Sequence, residues 1–279
     1  MRLLSRHPRF CLVTRMTPLP PVTVVTVTRG RPTLRRAAES LARQTYAGPV
    51  HHLVVADGDV GREHSDNCSN RLRTTVRVFP RDDLDSDGPG RLAWLRNAAV
   101  RMVDDPYIAF LDDDNAWMPN HLESLWGANS RDERGIAFSW RRILHRDGTP
   151  YLEPEFPWSR EPQHRREVYE RLVDAGVFER GSNVVRDRPD TDLTCIDLGE
   201  WFLPTGLVAE IGFAEAFDEW DWFNIICEDR KFPKEFLARD IRLIPTMQAT
   251  LLYYLGGYSN AFAGDGIIWL RPAGRVRER

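Results

Sequence analysis

Apolar positions fall into two alternating patterns along the first half of the chain. Residues 21–30, PVTVVTVTRG, are β-branched and almost wholly apolar as far as Thr28, which predicts a parallel strand buried on both faces. In residues 33–46, Leu34, Ala37, Ala38, Leu41 and Ala42 recur at helical spacing. Residues 51–59, HHLVVADGD, predict a second buried strand ending at Asp57, and residues 74–80, TTVRVFP, a third. A helix is expected over 91–105, a fourth strand over 106–114 (PYIAFLDDD), and a helix over 118–129 with Pro119 in its first turn. Strand and helix alternate, so this half is read as an α/β layer around a mainly parallel sheet.

The second half is less regular. Residues 135–144 predict a strand, and residues 145–195, rich in Arg, Asp, Glu and Pro, predict an excursion over the surface with one helix at 162–176. Residues 201–212 return to apolar character, and 228–244 read as a helix broken or delayed by Pro233, then a strand. No internal repeat or low-complexity tract is present.

Composition narrows the function classes. The 279 residues carry a formal charge of −3, so no general affinity for nucleic acid is implied. Cys11, Cys68, Cys195 and Cys227 are scattered and form no C-x-x-C pair, which argues against a zinc site or a disulfide framework. A reducing, cytoplasmic setting is expected, and there the formal sequon Asn67-Cys68-Ser69 carries no meaning. Lysine occurs only at 231 and 234, read as the codon bias of a GC-rich genome. No apolar run reaches membrane-spanning length. Residues 1–20 are expected to be a disordered arm, or to lie partly upstream of a true start at Met16, and residues 271–279 to be a solvated basic tail.

In open α/β sheets ligands bind at the carboxyl ends of the strands. Three such ends carry polar groups here: Thr28-Arg29, Asp57, and Asp112 to Asp114. Topology alone would face all three into one crevice. Asp112 and Asp114, two residues apart, can point the same way. Magnesium and manganese take hard oxygen ligands, commonly one or two carboxylates with water and substrate phosphates. The same triplet also reads as an acidic loop capping the next helix, the commoner role of such a motif, and the buried strand that delivers it raises the odds of the cation. Asp57-Gly58-Asp59 competes as a metal site, and also reads as a turn or as an acceptor for a ligand N–H. Glu228-Asp229 follows the apolar WFNIIC. That pair is either a general base next to apolar surroundings or a pair of acids favouring a helix N-terminus.

Other motifs fail on context. Gly88-x-Gly90-x-x-Ala93 follows a polar loop rather than a strand, so it is no dinucleotide fingerprint. Neither a P-loop nor a G-x-S-x-G elbow occurs, and His51 and His52 read as packing or surface residues.

Taken in order, VTVVTVTRGRP, VVADGD, GRLAWLRNAAV, YIAFLDDDNAWMPNHL and EDRKFPKEFLA resemble the family-two inverting glycosyltransferases of the GT-A fold, the SpsA-like enzymes above all. The resemblance covers roughly residues 21–244 and is most specific at 107–122. It implies a single domain over 21–270, with a nucleotide-binding half at 21–130 and an acceptor-binding half at 131–270. It also implies that Thr26, Thr28 and Arg29 hold the nucleotide base, that Asp57 bonds the pyrimidine and that Arg91 contacts the nucleotide. By the same resemblance Asp113 reaches the ribose, Asp114 takes Mn2+ or Mg2+ with Asp112 in a looser register, and Asp229 is the general base beside Glu228.

The implied donor is a UDP- or dTDP-sugar, the acceptor a hydroxyl of a polysaccharide, natural product or glycolipid, and a homodimer is possible. No histidine lies beyond His164, so no late histidine completes a metal shell. Trp201, the aromatics of 217–223 and the Gly-rich 256–266 are candidates for acceptor faces and a closing loop, with core packing the competing role for the aromatics. A sugar nucleotidyltransferase would need a Gly-rich first loop, and TRGRPTLRR has one glycine. A non-catalytic nucleotide-binding protein would tolerate loss of Asp229.

Overall fold

The apolar run of residues 22–28 becomes a strand at the centre of a five-stranded sheet in the computed structural model, which describes residues 18–58, 72–81, 88–130, 135–159, 161–189, 196–218, 221 and 228–257. This is β1 (Val22–Thr28), and Val22, Val24 and Val25 are at most 1% exposed. Helix α1 (Leu34–Leu41) follows, burying Leu34, Ala37, Ala38 and Leu41 as the spacing requires. Then come β2 (Val50–Asp57), β3 (Arg73–Phe79), α2 (Pro89–Val100), β4 (Tyr107–Phe110), β5 (Ala116–Trp117) and α3 (His121–Asn129). The second half contributes β6 (Gly135–Leu144), α4 (Pro162–Asp174), β7 (Val184–Val185), β8 (Leu203–Pro204), α5 (Thr205–Ile211), α6 (Glu228–Ala238) and β9 (Arg242–Tyr254).

The first sheet has the order β3-β2-β1-β4-β8. Its first four strands run parallel and β8 pairs antiparallel at the edge of β4. The chain leaves β1 toward β2 and β3, then crosses back to β4 on the other side of β1. The carboxyl ends of β1 and β4 therefore flank a topological switch point, where the connections diverge and leave a crevice. A second sheet, β5-β9-β6-β7, packs behind the first. One apolar cluster joins Val25, Ile108 and Phe110 of the first sheet to Ile136 and Phe138 of the second, so the two sheets share a core.

Four expectations are corrected. Residues 145–189 are not a bare surface excursion: Val168, Tyr169 and Leu172 of α4 pack with Val177, Phe178 and Val185 against Ile143 of β6, a small core of its own. Residues 190–195, with Cys195, lie outside the described residues. Helix α6 runs through Pro233 without breaking. Proline costs a helix the amide bond to the residue four positions earlier, here the Asp229 carbonyl, and that loss falls in the first turns. The final strand continues thirteen residues to Tyr254, with a register shift against β6 near Trp140. Trp201 is wholly buried and belongs to the core rather than to an acceptor face.

His52 and His121 are buried at 1% and 0% exposure, against Thr26 and Thr250. Burial lowers their pKa values from 6.5 to about 4 and about 3. The unfolded chain binds these protons and the folded chain does not, so stability is full above pH ~6.5 and falls as pH drops toward the folded values. Each histidine contributes on the order of a few kcal/mol to that slope. Urea midpoints at pH 7.5 and pH 5 are expected to separate clearly, and His121→Gln to narrow the gap.

Candidate active site

The aspartate triplet sits immediately past β4, where the backbone turns through an Asn115 N–H to Asp112 carbonyl bond. Asn115, 2% exposed, accepts from the Tyr254 amide at 3.0 Å and ties this turn to the end of β9. The three carboxylates do not share one environment. Asp113 is 6% exposed and accepts from the Thr28 hydroxyl at 2.6 Å. Asp114 accepts from Arg31 Nη1 at 2.6 Å, and the same nitrogen lies 3.6 Å from Asp113. Asp112 has a side chain 44% exposed and pairs at 2.9 Å with Arg96 of α2. The other nitrogen of that guanidinium donates to Glu228, the first residue of α6.

Among the described residues these ion pairs set Asp112, Asp113, Asp114 and Glu228 against Arg31 and Arg96, and Arg36 Nη2 also donates to the Asp114 carbonyl. Burial, followed by its acidic neighbours, raises Asp114 to about 7, and burial raises Asp113 to about 6. Burial likewise raises Glu228 to about 7. Hard oxygen donors short of positive charge suit a divalent cation. Among the described residues no group of three or more His, Cys, Asp or Glu could hold one alone, so water or ligand oxygens would complete its shell.

A cavity of about 220 Å³ opens at this point. Thr28, Arg29, Asp57, Arg91 and the three aspartates line it, and so do Glu228 and Asp229. The crevice expected from topology therefore exists, and late residues 228 and 229 join it. Asp57 is held by Arg81 at 2.8 Å and by Arg91 at 3.0 Å, with Arg91 also 4.7 Å over the Trp94 ring. Gly257 closes against the triplet so tightly that a Cβ there would lie 2.5 Å from Asp114 Oδ2.

Thr26 is the residue of the expected set that does not reach the cavity. It shares a face with Thr28 but lies two residues deeper along β1, wholly buried and 3.0 Å from His52 Nε2. Asp59 and most of the Gly-rich segment lie outside the described residues. Arg31, Arg81 and Arg96 were not singled out by the sequence reading. Arg96 did leave a signal: it stands in the buried stripe of α2 between Ala93 and Ala99, where a charge needs a partner.

A mainly parallel sheet with a carboxylate-lined crevice at its switch point fits a GT-A-like fold, and the comparisons with known proteins agree. Residues 22–190 match the model described as glycosyl transferase family 2, and the chain belongs to that family. It is 28% identical over 140 residues to a protein of Escherichia coli K12 provisionally named colanic acid biosynthesis glycosyl transferase WcaA, covering 50% of this chain and 48% of that one.

Crystal structures of S. aureus TarS share the fold. One superimposes with a TM-score of 0.55 at 16% identity over 86% of this chain and 37% of that one. TarS 1–349 in complex with UDP-GlcNAc also gives 0.55 at 16% identity, over 88% of this chain and 61% of that one. The chain thus spans less than two thirds of the length of these relatives.

The site separates two kinds of ion pair by burial. Asp57→Ala would leave Arg81 and Arg91 without their shared buried carboxylate, and a loss of about 2–4 kcal/mol is expected in urea unfolding. Asp112→Ala removes a half-exposed partner and one repulsive charge while Arg96 keeps Glu228, so its cost is expected to stay below about 1 kcal/mol.

Proposed function

We propose that this glycosyltransferase moves a sugar from a UDP- or dTDP-sugar to an acceptor hydroxyl with inversion at the anomeric carbon. One observation carries the reading: a single cavity is lined by Asp57, the aspartate triplet and Asp229. Asp57 and Arg91 bind the base and nucleotide, Asp113 the ribose. Asp114, with Asp112, is the place for Mn2+ or Mg2+. A divalent cation there supplies positive charge to a diphosphate leaving group.

Asp229 accepts the proton of the acceptor hydroxyl. The acceptor oxygen forms its bond to the anomeric carbon as the bond to the diphosphate oxygen breaks, and the nucleoside diphosphate leaves with that electron pair. A positioned base is worth roughly 10²–10⁴-fold here, because a hydroxyl is a poor nucleophile at neutral pH. Arg31 stands against Asp113 and Asp114 and is placed to meet the same diphosphate charge. The TarS complexes with UDP-GlcNAc and UDP support a UDP donor. WcaA is provisionally named for colanic acid biosynthesis, which supports an acceptor hydroxyl on a growing sugar chain.

UDP with Mn2+ is expected to raise the melting temperature of the chain, and a matching or larger rise with ATP would sink the donor assignment. Asp229→Asn is expected to keep UDP affinity within about threefold and to lower UDP release from a UDP-sugar by roughly 10²–10⁴-fold. Retained turnover in that variant would move the base elsewhere.

A further inference from the structure

We infer that Arg96 is a positioning residue: it locks the turn carrying the general base to the aspartate loop, so that base and loop hold one fixed geometry. The inference rests on the reading of Asp229 as base. Arg96 is 3% exposed in the middle of α2. Its Nη2 holds Asp112, 16 residues away in sequence, at 2.9 Å, and its Nη1 donates to Glu228, 132 residues away. Neither partner belongs to its own element. The guanidinium is planar, with its nitrogens in a fixed fork. A shift of either carboxylate therefore strains the bond to the other.

Glu228 needs that anchor. It is 3% exposed, and its second oxygen, Oε2, has no hydrogen-bond partner among the described residues. It opens α6, the helix from which Pro233 withholds the amide that would bond the Asp229 carbonyl. Asp229 is the next residue and lines the cavity. The Glu228–Arg96 pair therefore sets where the base stands, and the Asp112–Arg96 pair refers that position to the loop that would hold the donor diphosphate.

The conservative variant Arg96→Lys keeps the charge but replaces the fork with a single ammonium, which cannot reproduce both bonds. A displacement of the base by about 1 Å is enough to cost on the order of 10²-fold in rate. The test measures UDP release from UDP-GlcNAc with water as acceptor, UDP affinity by calorimetry in Mn2+, and urea unfolding. The variants are Arg96→Lys, Glu228→Gln and the double.

The expected result is a drop in kcat of about 10²-fold in each single variant, with UDP affinity held within about threefold. The double variant should be no slower than the worse single, because both remove one linkage. Turnover of Arg96→Lys within twofold of the parent, multiplying losses in the double, or loss of UDP affinity in step with kcat would each overturn the inference. Glu228→Gln keeps the question open to measurement should Arg96→Lys fail to fold. If the parent chain neither binds UDP nor releases it from the sugar nucleotide, the functional reading fails first. The lock is then judged by the urea cycle alone: a double variant losing less stability than the sum of the singles supports it, and strict additivity refutes it.

Discussion

Consecutive carboxylates cannot be buried at the end of a strand unless positive charge meets them. Two unit charges 4 Å apart interact by about 1 kcal/mol in water and about 4 kcal/mol at the effective dielectric of a protein surface. The fold answers this with arginines delivered by elements remote in sequence. Strand order puts β1 beside β4, so the loop after β1 brings Arg31 to Asp113 and Asp114. Helix α2 packs on β1 and β2 and presents Arg96 to Asp112. The parallel order of the sheet and the charge distribution of the crevice are thus one constraint seen at two scales.

This explains which parts of the site were legible in the sequence. The acidic side chains announced themselves because a charge directly after an apolar strand has few bland explanations. Asp57 and the triplet were placed at strand ends by periodicity alone, and the structure brings them to one cavity with Asp229. Their partners were not legible to the same degree. Arg31 lies 83 residues from Asp114, and Arg96 lies 132 from Glu228. In a chain whose basic residues are nearly all arginine, nothing local says which one is buried. Only the misplaced charge on the apolar stripe of α2 pointed to Arg96. Thr26 failed for a different reason: a period of two fixes the face of a strand residue but not its depth, and two residues of depth put Thr26 against His52 rather than in the cavity.

The second half shows the opposite balance. Its heavy load of Arg, Asp, Glu and Pro suggested solvated surface, yet Tyr169 and Leu172 of α4 are 3% and 0% exposed. A narrow apolar stripe in a mostly charged helix is enough when a strand such as β6 offers Ile143 beneath it. Beside this small core, Arg141 is 4% exposed and pairs with Asp187 at 3.1 Å and Asp197 at 3.5 Å. Composition over a window averages away both features, because burial is decided residue by residue.

The same electrostatics link stability to function. Among the described residues the crevice is lined by six carboxylates and five guanidinium groups, a slight excess of negative charge. A folded chain selected for stability alone would replace one of them, since a carboxylate raised to about 7 costs free energy whenever it is ionised. Protons relieve that excess at low pH. A cation arriving with a diphosphate would relieve it at neutral pH, and would do so where Asp112 remains half open to the cavity. At the triplet an incoming ligand can offset that cost, whereas Asp197 and Glu200, raised by burial away from the cavity, keep theirs. The other arms of the cluster, Asp113 on Thr28 and Glu228 on Arg96, are buried and already bonded. That division keeps the site rigid on its protein side and short of positive charge on its open side.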